Sequence, residues 1–209
     1  MAGLPLARLI ADGVTAGLMS VAGLVPVGVS ARHVHLTAED LSKLFGAGYR
    51  LTPVRMLTQP GQFAADAFVE LAGAQTSVKL RVVGPTRKQT QVELSRSDAN
   101  RLGIDAPVRH SGILSGTPGG ILRGPAGEVR LTQGVIVADR HLHLSRREAL
   151  AYGLRDGEKV RVHAGGDKAG IMENVTVRAG EGHALDLHID ADDANAFGLR
   201  QGDRLRLEK

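Results

Sequence analysis

The chain has no cysteine and no tryptophan, and only 3% of its 209 residues are aromatic. Without cysteine there is no disulfide scaffold, no thiolate metal site and no cysteine nucleophile, so any zinc must be held by histidine and carboxylate. The scarcity of aromatics weighs against single-stranded nucleic acid, whose bases need stacking platforms. A long uninterrupted apolar run is missing too. The most apolar stretch, Leu4 to Leu24, contains Arg8 and Asp12, has glycines at 13, 17 and 23 and another just before it at 3, and lacks a dense basic leader. It therefore reads neither as a signal peptide nor as a membrane span. Leu6, Leu9, Ile10, Val14, Met19 and Val21 fall at helical spacing, which makes residues 1–24 a short amphipathic extension. Such a stripe packs on its own domain, forms an oligomer contact, or docks on another protein.

What is present is a 43% hydrophobic chain long enough for two compact units with real cores. Its 26 Lys and Arg against 22 Asp and Glu leave a net charge of +4, which favours anionic partners.

Internal repetition carries most of the information. Four segments align: His33-Val-His-Leu-Thr through Gly46, Gln91-Val-Glu-Leu-Ser through Gly103, His141-Leu-His-Leu-Ser through Gly153, and Leu187-His-Ile-Asp through Gly198. Each reads as a strand running into a short helix. Thr37, Ser95, Ser145 and Asp190 stand at the N-cap, with Asp40, Asp98, Glu148 and Asp193 three residues on, as in a capping box. A glycine ends each helix, where a left-handed residue is wanted. Alternating runs elsewhere, such as Val78-Lys-Leu-Arg-Val and Glu173-Asn-Val-Thr-Val-Arg, predict a mainly β protein. The expected architecture is two small β-barrel domains capped by short α-helices, over residues 25–138 and 139–209, behind the N-terminal extension 1–24. The Gly/Pro-rich segment Ser115 to Gly127 either links the halves or forms a hairpin within the first.

Just before the Leu- or Ile-plus-cap pair of each copy stands a metal-ligand type: His35, Glu93, His143 and His188. Caps and apolar positions explain a structural repeat but not a ligand at every strand end. His33 and His141 lie two residues earlier in their copies, and residues i and i+2 of a strand share a face, so each His-x-His presents two imidazoles together. Six candidates suffice for two metal ions with open coordination positions. His110, His163 and His183 lie in turn-like surroundings and read as solvent-facing. Upstream of Glu93, Gly84-Pro85 turns the chain just before Arg87. Arg87 is either a phosphate-binding guanidinium or the basic tip of a hairpin.

The stretches Val25-Pro-Val-Gly-Val-Ser-Ala-Arg-His-Val-His-Leu, Leu51-Thr-Pro-Val-Arg-Met-Leu-Thr-Gln-Pro-Gly-Gln-Phe-Ala-Ala, Gly84-Pro-Thr-Arg-Lys-Gln-Thr-Gln-Val-Glu and Leu187-His-Ile-Asp-Ala-Asp-Asp-Ala-Asn resemble the PduL-type phosphotransacylases, the phosphate propanoyltransferases. The resemblance runs from Val25 to the C-terminus. It implies two β-barrels, with strand 25–31 joining the second, and a dinuclear zinc site. It also implies zinc-dependent, reversible transfer of a propionyl or acetyl group between coenzyme A and inorganic phosphate. Carried over, the metal ligands fall on His33, His35, Glu93, His143 and His188, with His141 in the same cluster, and the phosphate-binding arginine on Arg87. Contacts to coenzyme A fall on Ser30, Arg55, Arg81 and Asn195. Arg55 stands where a lysine is common, and Ile113 stands where an aspartate is expected after Ser111-Gly112. The resemblance also implies a homodimer that works in the cytoplasm or inside a bacterial microcompartment, as in propanediol degradation. There residues 4–24 would serve as an encapsulation tag for shell or cargo proteins. Neither nucleic acid nor membrane is expected as a partner.

Two rivals stand beside it. Amidohydrolase barrels also use His-x-His, but that fold needs roughly 250 residues in alternating strand-helix units. A non-enzymatic barrel module that binds nucleic acid or protein would account for the basic charge, but not for ligand types in four copies.

Overall fold

The computed structural model describes residues 14–15, 17–74 and 76–209. The chain divides into two compact units, one made of Ser30–Asp139 with Asp190–Asp193. The other contains Arg140–Ile189, Ala194–Lys209 and the described residues up to Val29. The architecture is mainly β, as the alternating runs predict.

The first strand among the described residues is β1 (Leu24–Ser30). The Ser30–Asp139 unit then holds β2 (His33–His35), α1 (Ala38–Phe45), β3 (Pro53–Met56), β4 (Phe63–Ala72), β5 (Ser77–Gly84), β6 (Gln91–Leu94) and α2 (Arg96–Leu102). It continues with β7 (Val108–Arg109), β8 (Gly120–Arg123), β9 (Glu128–Leu131) and β10 (Val135–Ala138). Its strands run β7-β10-β6-β2-β5-β4-β8-β9, with β3 on β4, and curl as a half-barrel that does not close. Ser115 to Gly127 resolves as the second option above: β8 and β9 pair as a hairpin, with Arg123 opposite Glu128. In β2 and β6 alternation sends Val34, Val92 and Leu94 into the apolar core with Leu36, Leu80 and Val82. Each such fully buried aliphatic side chain contributes about 2 kcal/mol. His33, His35, Gln91 and Glu93 are thereby left on the other face.

The second unit holds β11 (His141–Leu144), α3 (Arg146–Tyr152), β12 (Lys159–Ala164), β13 (Gly170–Ala179), β14 (Asp186–Asp190) and β15 (Arg204–Glu208). The short α4 (Ala191–Phe197) starts in the first unit's segment and ends in this one. Its barrel closes in the order β1-β14-β11-β13-β12-β15. β1 thus lies antiparallel to β15, with Val25 opposite Leu205. Leu142, Leu144, Leu187 and Ile189 fill its core. Before β1, residues 17–22 are helical; Val14, Leu18 and Val21 are exposed, while Met19 packs on the barrel core. Residues 1–13 and 16 of the extension lie outside the described residues. Among the described residues no helix is long and apolar enough to cross a membrane.

All four N-caps named by the repeat form. Thr37, Ser95 and Ser145 accept from the backbone N–H three residues on. Asp190 does the same for Asp193. At α3 the box is complete, with Glu148 Oε2 accepting from the Ser145 N–H at 2.7 Å. Gly103 and Gly153 are left-handed, whereas Gly46 takes φ 99, ψ 156, a conformation equally closed to other residues.

Candidate functional site

The half-barrel unit brings together His33, His35 and Glu93, whose ligand atoms all lie within 4.8 Å of one another. Register explains the grouping, since β2 and β6 are antiparallel with His33 opposite Glu93 and His35 opposite Gln91. The His33 Nδ1 lies 2.8 Å from the Ala31 carbonyl and the His35 Nδ1 3.2 Å from that of Val83. A carbonyl only accepts, so both protons sit on Nδ1 and both Nε2 lone pairs are left for the cluster. Those Nε2 atoms stand 3.6 and 3.9 Å from the Glu93 oxygens. Burial, with His33 and Arg87 nearby, holds His35 down to about 3, so its imidazole stays neutral at ordinary pH.

The barrel unit brings together His141, His143 and His188 in the same way. On β11 and β14, His141 is opposite His188 and His143 opposite Asp186. The Nε2 atoms of His141 and His143 converge to 3.1 Å. His143 Nδ1 is buried and has no hydrogen-bond partner among the described residues. Burial first, then the surrounding His141, His188, His183 and Arg178, pushes His143 well below the usual histidine range. Imidazoles whose nitrogens face one another, joined in one cluster by a carboxylate, make donor sets of the kind zinc takes. The residues fit the ion; cobalt, manganese or nickel suit the same donors.

Arg87 belongs to the half-barrel unit. Its Nη1 donates to Ser111 Oγ at 3.3 Å and its Nη2 to Gln62 Oε1 at 3.5 Å. Its backbone N–H is anchored on the Leu36 carbonyl at 2.8 Å, so the guanidinium is held from several directions. Pro85 and Thr86, which lead into it, also line an open cleft of about 360 Å³ with Tyr49, Arg50, Leu51 and Phe63.

A sequence profile described as phosphate propanoyltransferase matches residues 26–200. The chain belongs to the phosphate propanoyltransferase family. A phosphate propanoyltransferase of Thermotoga maritima is 50% identical over 162 residues, covering 77% of each chain. That of Rhodobacter capsulatus is 46% identical over 183 residues, covering 87% of this chain and 85% of its own. That of Salmonella typhimurium is 47% identical over 165 residues, covering 78% of each.

Of the residues that family resemblance assigns to coenzyme A, Ser30 ends β1 and is half-buried, and Arg55 is exposed on β3. Arg81, opposite His33, lies over the Phe68 ring and donates to the Ala65 carbonyl. Asn195 is exposed on α4 of the other unit, its carbonyl accepting from Lys168. The loop after His110 has a part even with Ile113 in place of an acid: Ser111 and Gly112 contact Arg87 and Gln91 through hydroxyl and backbone N–H.

The structure corrects the expectation for the three histidines outside the repeat: His110 Nδ1 is buried, 3.4 Å from Asp139 Oδ2, His163 pairs with Glu208, and His183 is not a solvent-facing residue. Its ring stacks on His143 with centroids 4.5 Å apart, and its Nδ1 is buried. Sequence reasoning also missed Gln91 and Asp186, both 2% exposed. The signal was available: they stand two residues before Glu93 and His188, where the other copies carry His33 and His141.

Proposed function

We propose that the chain catalyses reversible transfer of a short acyl group, propionyl or acetyl, between coenzyme A and inorganic phosphate, using two zinc ions. The observation that carries this is the pair of histidine-rich donor clusters, one in each unit, in a chain of this family with a multiply anchored arginine beside one of them. His33, His35 and Glu93 hold one ion, and His141, His143 and His188 the other. When bound, zinc supplies a Lewis acid for the thioester carbonyl and a soft partner for the departing thiolate. Arg87 binds and orients the phosphate through paired N–H donors. Ser30, Arg55, Arg81 and Asn195 contact coenzyme A, with the guanidinium of Arg55 gripping its phosphates in place of a lysine. With no cysteine in the chain, a phosphate oxygen attacks the thioester carbon directly: the C–O bond forms, the C–S bond breaks, and coenzyme A leaves as thiolate. The proposal extends to a homodimer in the cytoplasm or a microcompartment lumen, with residues 4–24 as the docking segment.

The test is elemental analysis of purified protein together with coenzyme A release from propionyl-CoA, with and without phosphate. About two zinc per chain and phosphate-dependent release are expected. Metal-free protein that stays inactive after zinc is restored overturns the assignment, and a salt-sensitive complex with duplex DNA would then favour the binding module.

A further inference from the structure

We propose that Gln91 is a positioning residue that joins the carboxylate of Glu93 to the loop supporting Arg87, resting on the metal and phosphate roles proposed above for those two side chains. Gln91 is 2% exposed and lies on the same face of β6 as Glu93. A buried primary amide has two N–H donors and one carbonyl to satisfy. Here Nε2 donates to Glu93 Oε1 at 2.5 Å and to Ser111 Oγ at 2.7 Å, while Oε1 accepts from the Gly112 N–H at 2.8 Å. The carboxylate only accepts and the backbone N–H only donates, so the amide has one workable orientation. Ser111 in turn accepts from Arg87 Nη1. One continuous chain of hydrogen bonds thus runs Glu93, Gln91, Ser111, Arg87.

The internal repeat strengthens the assignment. Gln91 is opposite His35 in its ladder as Asp186 is opposite His143 in the other. Asp186 is equally buried, and its Oδ2 lies 3.0 Å from His188 Nε2. In both units the residue two before the third cluster member bonds to that member, and its polarity is matched: a donor against the carboxylate, an acceptor against the imidazole. Filling space would require no such matching. Gln91 occupies Glu93 Oε1, so Oε2 is the oxygen that faces His33.

The experiment uses zinc-loaded wild-type protein, Gln91→Met and Ser111→Ala, each checked for folding by circular dichroism. Zinc release to a chromophoric chelator is recorded, and KM for phosphate is measured separately from kcat. Gln91→Met, of similar length but without donors, should release one of its ions 10- to 100-fold faster. Its KM for phosphate should rise by about tenfold. Ser111→Ala cuts only the Arg87 branch, so KM for phosphate should rise while zinc release stays at the wild-type rate. Wild-type values for Gln91→Met in both measurements overturn the assignment. If that variant does not fold, an unchanged phosphate KM in Ser111→Ala overturns it instead. Wild-type protein lacking zinc or phosphate-dependent turnover defeats the functional proposal itself, so the two failures are distinct.

Discussion

Gly28 shows how closely one residue can be constrained by the groups around a candidate metal cluster. A Cβ at this position would lie 2.7 and 2.9 Å from the two carboxylate oxygens of Asp186 and 2.9 Å from His188 Cδ2. Gly28 sits in β1, which is hydrogen-bonded to β14, so the backbone has little room to retreat and the side chains must yield. Overpacking of this kind costs about 1–3 kcal/mol. Gly28→Ala is therefore expected to lower the urea midpoint and to weaken zinc retention. A variant matching wild type in both would mean that the Asp186 carboxylate moves aside without cost. Here the glycine serves close approach, whereas at Gly103 and Gly153 it serves a left-handed backbone.

At the scale of elements, each of the four strand-to-helix units was legible because its determinants are local: a cap, an acid three residues on, an apolar pair and a glycine. Ser145 tests this. It makes the complete capping box of α3, so Ser145→Ala should cost about 1 kcal/mol in urea unfolding while zinc content stays at the wild-type value. A loss of metal as well would mean that α3 holds β11 in place, because Ser145 directly follows that strand. Other features were not legible, since they depend on contacts between distant segments. Nothing in Val25-Pro-Val-Gly-Val indicates pairing with Leu205, and only the family resemblance suggested that this strand joins the C-terminal barrel. The grouping of His33 with Glu93 and of His141 with His188 is a matter of ladder register. The repeat nominated all four residues, but their pairing becomes visible only once the strands are aligned. His183 reads as solvent-facing for the same reason: it lies outside the repeated segments and meets His143 only in the folded barrel. Gln91 was passed over because a neutral amide is not a metal ligand, although its place two residues before Glu93 was in plain view.

For the whole molecule, burying neutral imidazoles links stability to pH. An unfolded histidine takes up a proton near pH 6.5, whereas His35 in the folded protein does so only at about 3. Between those values the unfolded chain binds a proton that the folded chain does not, so stability is complete above about pH 6.5 and is lost progressively as pH falls toward 3. His143 is displaced in the same direction by its own burial, so both units contribute to the loss. For His35 alone, metal-stripped protein at pH 5 should be about 2 kcal/mol less stable than at pH 7.5. Urea unfolding of the stripped protein at the two pH values measures this, and His35→Gln should flatten the dependence because glutamine does not titrate. Equal midpoints at the two pH values in the wild-type chain would mean that these imidazoles are protonated in the fold. Zinc should steepen the acid sensitivity, because the ion binds only the deprotonated donors of the folded state and is released as they take up protons. The clusters that equip the chain for metal chemistry are thus also where acid attacks its fold.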